Sequence, residues 1–233
     1  MYGTVHNERE SSLSESFIAP EKPYAAFDVV LVAASAGGLR PLEMFLSGLP
    51  FCFPAPVIVV QHLPSRRTYA SRLDHVLQRR SKLPVKWAED GELPRPGVIY
   101  LAPQDAVTVI HPGDGSFCTT ALPEFGRARP TADPLFRSAA AVFHQRVIAV
   151  VLSGTLSDGA EGAWEIARAR GRVLAQSYCT AEYADMPRAA MRRTRIGLAF
   201  DPCALAHAVV SFVMAPGAAE WFRVGLGHAL SYT

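Results

Sequence analysis

Ser35, His62 and the aspartates Asp90, Asp105 and Asp158 share one feature: each comes a few residues after an apolar run ends. A serine hydroxyl is a weak nucleophile until an imidazole takes its proton, and a carboxylate then orients that imidazole and stabilises its charge. A nucleophile, a base and carboxylates are therefore available for acyl transfer, if the chain brings them to one place. The order Ser, His, Asp differs from the Ser, Asp, His order of α/β-hydrolases, and the G-x-S-x-G elbow of that fold is missing.

The stretch that must display the serine is Phe27 to Pro41, FDVVLVAASAGGLRP. Val29 to Ala34 is a continuous apolar run of the kind buried on both faces of a parallel sheet, and Ser35-Ala36-Gly37-Gly38 breaks it abruptly. Glycines after the serine allow a tight turn, and the helix that follows aims free N–H groups back toward the serine oxygen. Backbone donors at Ala36 and Gly37 are the candidate oxyanion site. The same turn could instead cradle an anion, or simply pack. Against the phosphate reading, neither G-x-G-x-x-G nor G-x-x-x-x-G-K-S/T is present.

The rest of the chain alternates strands and helices. Val57–Val60 is a second apolar strand ending at His62; Val85–Trp87, Gly97–Ala102, Val147–Leu152 and Arg172–Ala175 read as further strands. Helices are expected over Leu39–Gly48, Thr68–Arg80, Pro134–His144, Ala160–Arg170, 187–195 and Pro202–Met214, with an extended piece at 198–200. Val107–Ile110 and Phe117–Ala121, joined by His111-Pro-Gly-Asp-Gly, read as a β-hairpin. The pattern predicts an α/β, three-layer, doubly wound, Rossmann-like fold with a mostly parallel sheet and an inserted antiparallel hairpin. In such sheets ligands sit beyond the carboxyl ends of the strands, which is where Ser35, His62 and the aspartates fall. Pattern alone does not choose among the three. Asp158 is preferred because it follows the central-looking strand and precedes a helix, where an aspartate is also favoured as a cap.

With 233 residues, one α/β domain is expected over 25–214, after a polar Ser/Glu-rich leader at 1–24 and before an unplaced tail at 215–233. The 49% apolar and 19% charged composition is that of a soluble globular chain, and no run of about eighteen apolar residues marks a membrane span. The N-terminus lacks the apolar core of a signal peptide, so a cytoplasmic location is expected. A net charge of +2 is too small to argue for nucleic acid. Cys52, Cys118, Cys179 and Cys203 form no C-x-x-C pair, which speaks against a zinc site or disulfide framework.

Three blocks carry a family resemblance: AASAGG at Ala33–Gly38, VVQHLP at Val59–Pro64 and LSGTLSDGAEG at Leu152–Gly162. PGVIYLAP (Pro96–Pro103), RPTADPLFRSAA (Arg129–Ala140) and AQSYCTAEYADMPRAA (Ala175–Ala190) agree in order and spacing. Together they resemble CheB, the protein-glutamate methylesterase domain of bacterial chemotaxis, over about Phe27 to Phe212. The resemblance implies a Ser35, His62, Asp158 triad that hydrolyses γ-glutamyl methyl esters on chemoreceptors, or on another methylated signalling protein, with related members deamidating glutamine there. It implies no metal or cofactor, and a pathway methyltransferase as a further partner. The other reading it allows is a weakly active or non-catalytic signalling module.

The chain departs from that family in places. Ala36 stands where a threonine is usual, Thr155-Leu156 replace a Met-Gly pair, and Gln104-Asp105-Ala106-Val107 replace a strand end that commonly carries histidine. A bulkier Leu156 is expected to narrow the cleft or displace backbone donors. Only a polar leader precedes Phe27, so control by an aspartyl-phosphorylated receiver within this chain is not expected.

Overall fold

Six consecutive apolar residues, Val29–Ala34, form strand β1, and all six are buried. A strand in the middle of a sheet covered on both sides needs no polar face. The computed structural model describes residues 27–63, 71–122, 132–196 and 199–215. Within them β1 lies between β2 (Val57–Gln61) and β7 (Val147–Val151), both parallel to it. Beyond β2 come β4 (Ile99–Leu101) and the edge strand β3 (Val85–Trp87); beyond β7 come β8 (Arg172–Gln176) and β9 (Ala199–Phe200). All six pairings are parallel, so the order is β3-β4-β2-β1-β7-β8-β9.

Side chains of β1 alternate between two cores. Val30, Val32 and Ala34 pack with α1 (Leu39–Ser47), α2 (Leu73–Gln78) and α6 (Pro202–Met214). Val29, Leu31 and Ala33 pack on the other face with α3 (Ala132–Phe143), α4 (Ala160–Arg168) and α5 (Asp185–Thr194). This is the expected doubly wound, three-layer arrangement. The hairpin, β5 (Ala106–Ile110) and β6 (Phe117–Ala121), is a separate two-stranded antiparallel sheet. It docks on α3, where Ile110 N donates to Ser138 Oγ at 2.9 Å, and on the main sheet, where Tyr100 and Phe117 meet edge to face.

The helix after β1 crosses one face and the helix after β7 crosses the other, so these adjacent strands form a topological switch point. The crevice beyond their carboxyl ends is where such sheets hold ligands.

Helix starts differ from the sequence expectation in a systematic way. α3 begins at Ala132 rather than Pro134, and α5 at Asp185 rather than 187. Proline is tolerated in a first turn because the N–H it lacks has no intrahelical partner there, so the helix begins upstream of it. Of the expected Thr68–Arg80 helix, 68–70 lie outside the described residues and the helix itself covers only Leu73–Gln78. The loop at 123–130, the leader at 1–24 and all of the tail but Ala215 also lie outside them.

Candidate active site

Ser35 directly follows β1, and the chain turns immediately through Gly37 at φ +66°. A Cβ on Gly37 would lie 2.8 Å from Glu182 Cβ and 3.0 Å from Ser153 Oγ, so both conformation and space require glycine. The N–H groups of the turn can be accounted for one by one. Ser35 N donates to Ser153 O at 3.0 Å and Gly38 N to Ser35 O at 3.0 Å. Those of Ala36 and Gly37 meet no acceptor among the described residues. Two adjacent N–H groups beside a serine are thus left for an incoming oxygen.

The register carries His62 to the same edge. Ala34 pairs with Gln61, so the next residues along, Ser35 and His62, are cross-strand neighbours, and His62 N donates to Ala34 O at 3.0 Å. Gln61 Nε2 ties the two together by donating to Ser35 O at 2.9 Å and to His62 O at 3.1 Å.

His62 Nε2 lies 2.7 Å from Asp158 Oδ2. That contact fixes the tautomer when the ring is neutral: Nε2 carries the proton for the carboxylate and Nδ1 is the open base. Asp158 Oδ2 also accepts from Ala132 N at 3.0 Å, and Oδ1 accepts from Asp133 N at 3.1 Å. Asp158 is indeed a helix cap, but of α3 rather than of α4, whose own N-cap is Gly159 at φ +89°. Burial pushes the Asp158 carboxyl up. The hydrogen bond from His62, those from the two backbone N–H groups and the imidazole charge outweigh burial and hold it below its ordinary value.

The other two aspartates serve the hairpin. Asp90 Oδ1 accepts from Thr119 N at 2.7 Å. Asp105, at φ +55°, closes the base of the hairpin through its carbonyl, which accepts from Leu122 N at 2.7 Å. Ser35 Oγ itself makes no hydrogen bond among the described residues, His62 included. Such bonds are often loose in unliganded sites and tighten around substrate.

Two residues absent from the sequence-derived set hold the site's floor. Ser153 is fully buried; its N donates to Gln176 Oε1 at 2.9 Å, and its Oγ donates to Ala36 O at 3.0 Å and accepts from Tyr183 N at 3.0 Å. Gln176, also fully buried, donates onward to Thr180 O at 3.0 Å. Both are polar residues ending or following apolar strands, the same signal that marked Ser35. Gly154 follows Ser153, and a Cβ there would overlap the Met186 sulfur and come within 2.8 Å of Ser35 Cβ. Leu156, flagged for its bulk, is not packed into the interior. It is 67% exposed, at φ +67°.

The blocks that carry Ser35, His62 and Asp158 fall within a match to the CheB methylesterase family model over residues 30–209. The chain belongs to the CheB methylesterase family. It is 41% identical over 163 residues to protein-glutamate methylesterase/protein-glutamine glutaminase 3 of Anaeromyxobacter dehalogenans, covering 70% of this chain and 47% of that one. The Thermotoga maritima protein of the same two activities is 36% identical over 171 residues, covering 72% and 48%. The chain thus spans about half the length of these curated relatives. The crystal structure of the Thermotoga maritima CheB methylesterase catalytic domain superposes with a TM-score of 0.74 at 31% identity, covering 80% of this chain and 99% of that domain. The matched part is therefore the catalytic domain of the family. No helix among the described residues is long and apolar enough to cross a membrane.

Proposed function

We propose that this chain hydrolyses γ-glutamyl methyl esters on a polypeptide substrate, a methylated chemoreceptor, and that it deamidates glutamine at equivalent positions. The domain responsible is assigned to residues 25–214. Ser35 Oγ attacks the ester carbonyl while His62 Nδ1 takes its proton. Asp158 holds the ring through Nε2 and stabilises the imidazolium. The oxyanion is received by the N–H groups of Ala36 and Gly37, the pair left without acceptors by the turn. His62 then gives its proton to the leaving methanol, and water attacks the resulting acyl-serine by the reverse route to release the carboxylate. For glutamine the leaving group is ammonia. A methyltransferase of the same pathway would supply the esters, and the reaction is assigned to the cytoplasm.

The observation that carries this reading is the 2.7 Å contact of His62 with a carboxylate that is itself gripped by two backbone N–H groups, one strand away from a serine beside two open N–H donors. The test is methanol release from methylated receptor, measured with the native chain and Ser35→Ala. Release is expected to fall by about three powers of ten or more in the variant. Equal release by the two proteins would leave the non-catalytic signalling module as the reading.

A further inference from the structure

Asp133 stands where the first turns of α3 and α4 touch. Its backbone N–H donates to Asp158 Oδ1 at 3.1 Å, and its own Oδ1 accepts from Gly162 N at 2.7 Å. Gly162 is the third residue of α4, and Asp158 immediately precedes that helix's N-cap. One residue therefore pins the segment 158–162 at both ends. The approach is close: a Cβ on Gly162 would lie 2.5 Å from Phe136 Cβ and 2.9 Å from Asp133 O. Between the pins is Gly159, the backbone position freest to rotate.

The cap is chemically expensive. Asp133 is half-buried, its carboxylate forms no ion pair among the described residues, and the second carboxylate beside it is Asp158. Burial and the charges of Asp158 and Glu161 raise its pKa, against the Gly162 hydrogen bond and the Arg137 charge, which lower it. An acceptor that merely ended α4 could sit in solvent. Placed here, it couples the start of α4 to the turn of α3 that aims the Asp158 carboxylate at His62.

We propose that Asp133 is a positioning residue for the esterase reaction: its Oδ1 bond to Gly162 N fixes where Asp158 meets His62 Nε2. This rests on the hydrolase reading above. Without that bond the start of α4 can swing about Gly159, and the segment 158–162 keeps only its pin at Asp158.

The experiment uses the full chain, a synthetic peptide carrying one γ-methyl glutamate, and proton NMR of the His62 ring N–H, assigned by its loss in His62→Gln. Asp133→Ala is expected to lower kcat for methanol release by about tenfold to a hundredfold, with KM within about twofold. The ring proton, far downfield in the native chain, should move upfield and broaden. Asp133→Asn keeps an Oδ1 acceptor and should restore both readouts to near native. Asp133→Glu keeps the charge, displaces the acceptor by one methylene and should lower kcat; it serves where the alanine variant does not fold. The proposal is overturned by a native kcat and native ring-proton shift in the alanine or glutamate variant. It is overturned equally by an asparagine variant as impaired as alanine, since charge rather than the acceptor would then matter. Should the native chain release no methanol, the hydrolase reading falls, and the ring-proton shift still reports whether Asp133 holds the His62–Asp158 contact.

Discussion

Leu156 breaks two rules at once: a branched apolar residue in the left-handed region, and one left two-thirds exposed. The backbone conformation costs an L-residue roughly 1–2 kcal/mol, which glycine avoids at the expense of a larger unfolded-state entropy. Leu156→Gly is therefore expected to stabilise the fold by up to about 1 kcal/mol, a rise in midpoint of about 2–4 °C in a domain of this size. Thermal unfolding followed by circular dichroism measures it. A fall in midpoint would mean that Leu156 makes contacts in solution that compensate for its conformation. The sequence alone flagged Leu156 for its bulk and predicted a narrowed cleft or displaced backbone donors. Its direction depends on the backbone angle, which no residue type reveals.

At the scale of elements, the site is a set of strand ends held level by close backbone contacts. Gly154 shows how tight these are, lying between Met186 on α5 and Ser35 at the end of β1. Gly154→Ala would push the two apart, at a cost of about 1–3 kcal/mol for an overpacked position. The displaced side is Ser35, the proposed nucleophile, or α5. Methanol release by Gly154→Ala should thus fall at least tenfold at a temperature where its circular dichroism is still native; unchanged release would show that α5 gives way instead. The apolar runs of β1, β2 and β7 made these strand ends legible, because only a sheet covered on both faces tolerates them. Pattern preferred Asp158 without separating it from Asp90 and Asp105; its contact with His62 was not legible there, since it turns on which loop reaches the N-terminus of α3. Ser153 and Gln176 were visible by the same end-of-strand logic, but their roles come from long-range bonds to the Ser35 turn and to 177–184. The starts of α3 and α5 were placed too late because proline was taken as the boundary rather than as a first-turn residue.

For the whole molecule, the parallel order puts β1 and β7 side by side at the switch point, so the crevice and the candidate site coincide at one rim of the sheet. The same convergence makes the site part of the fold's acid stability. Asp158 has a folded pKa below its ordinary 3.8, because the hydrogen bonds it accepts outweigh the burial that would raise it. Glu161, bonded by Arg193 on α5, is likewise lowered from 4.5, and Asp114, bonded by Ser116, from 3.8. A group lowered on folding contributes stability that is complete above its unfolded pKa and is lost as pH falls through the folded one. Asp133 runs the other way. Its raised pKa means that protonation relieves the folded chain, so it offsets part of the acid loss. Urea midpoints measured from about pH 6 down to pH 2 should therefore decline for the native chain. Asp158→Asn should flatten that decline, having removed a group that drives it. Asp133→Asn should start from a higher midpoint at pH 6, because a half-buried charge beside Asp158 is gone, and then decline more steeply, because the offset has gone with it. If Asp158→Asn and the native chain follow the same acid limb, the carboxylate is not held in the folded protein by the bonds from His62, Ala132 and Asp133, and the geometry assigned to the site at this rim of the sheet is wrong.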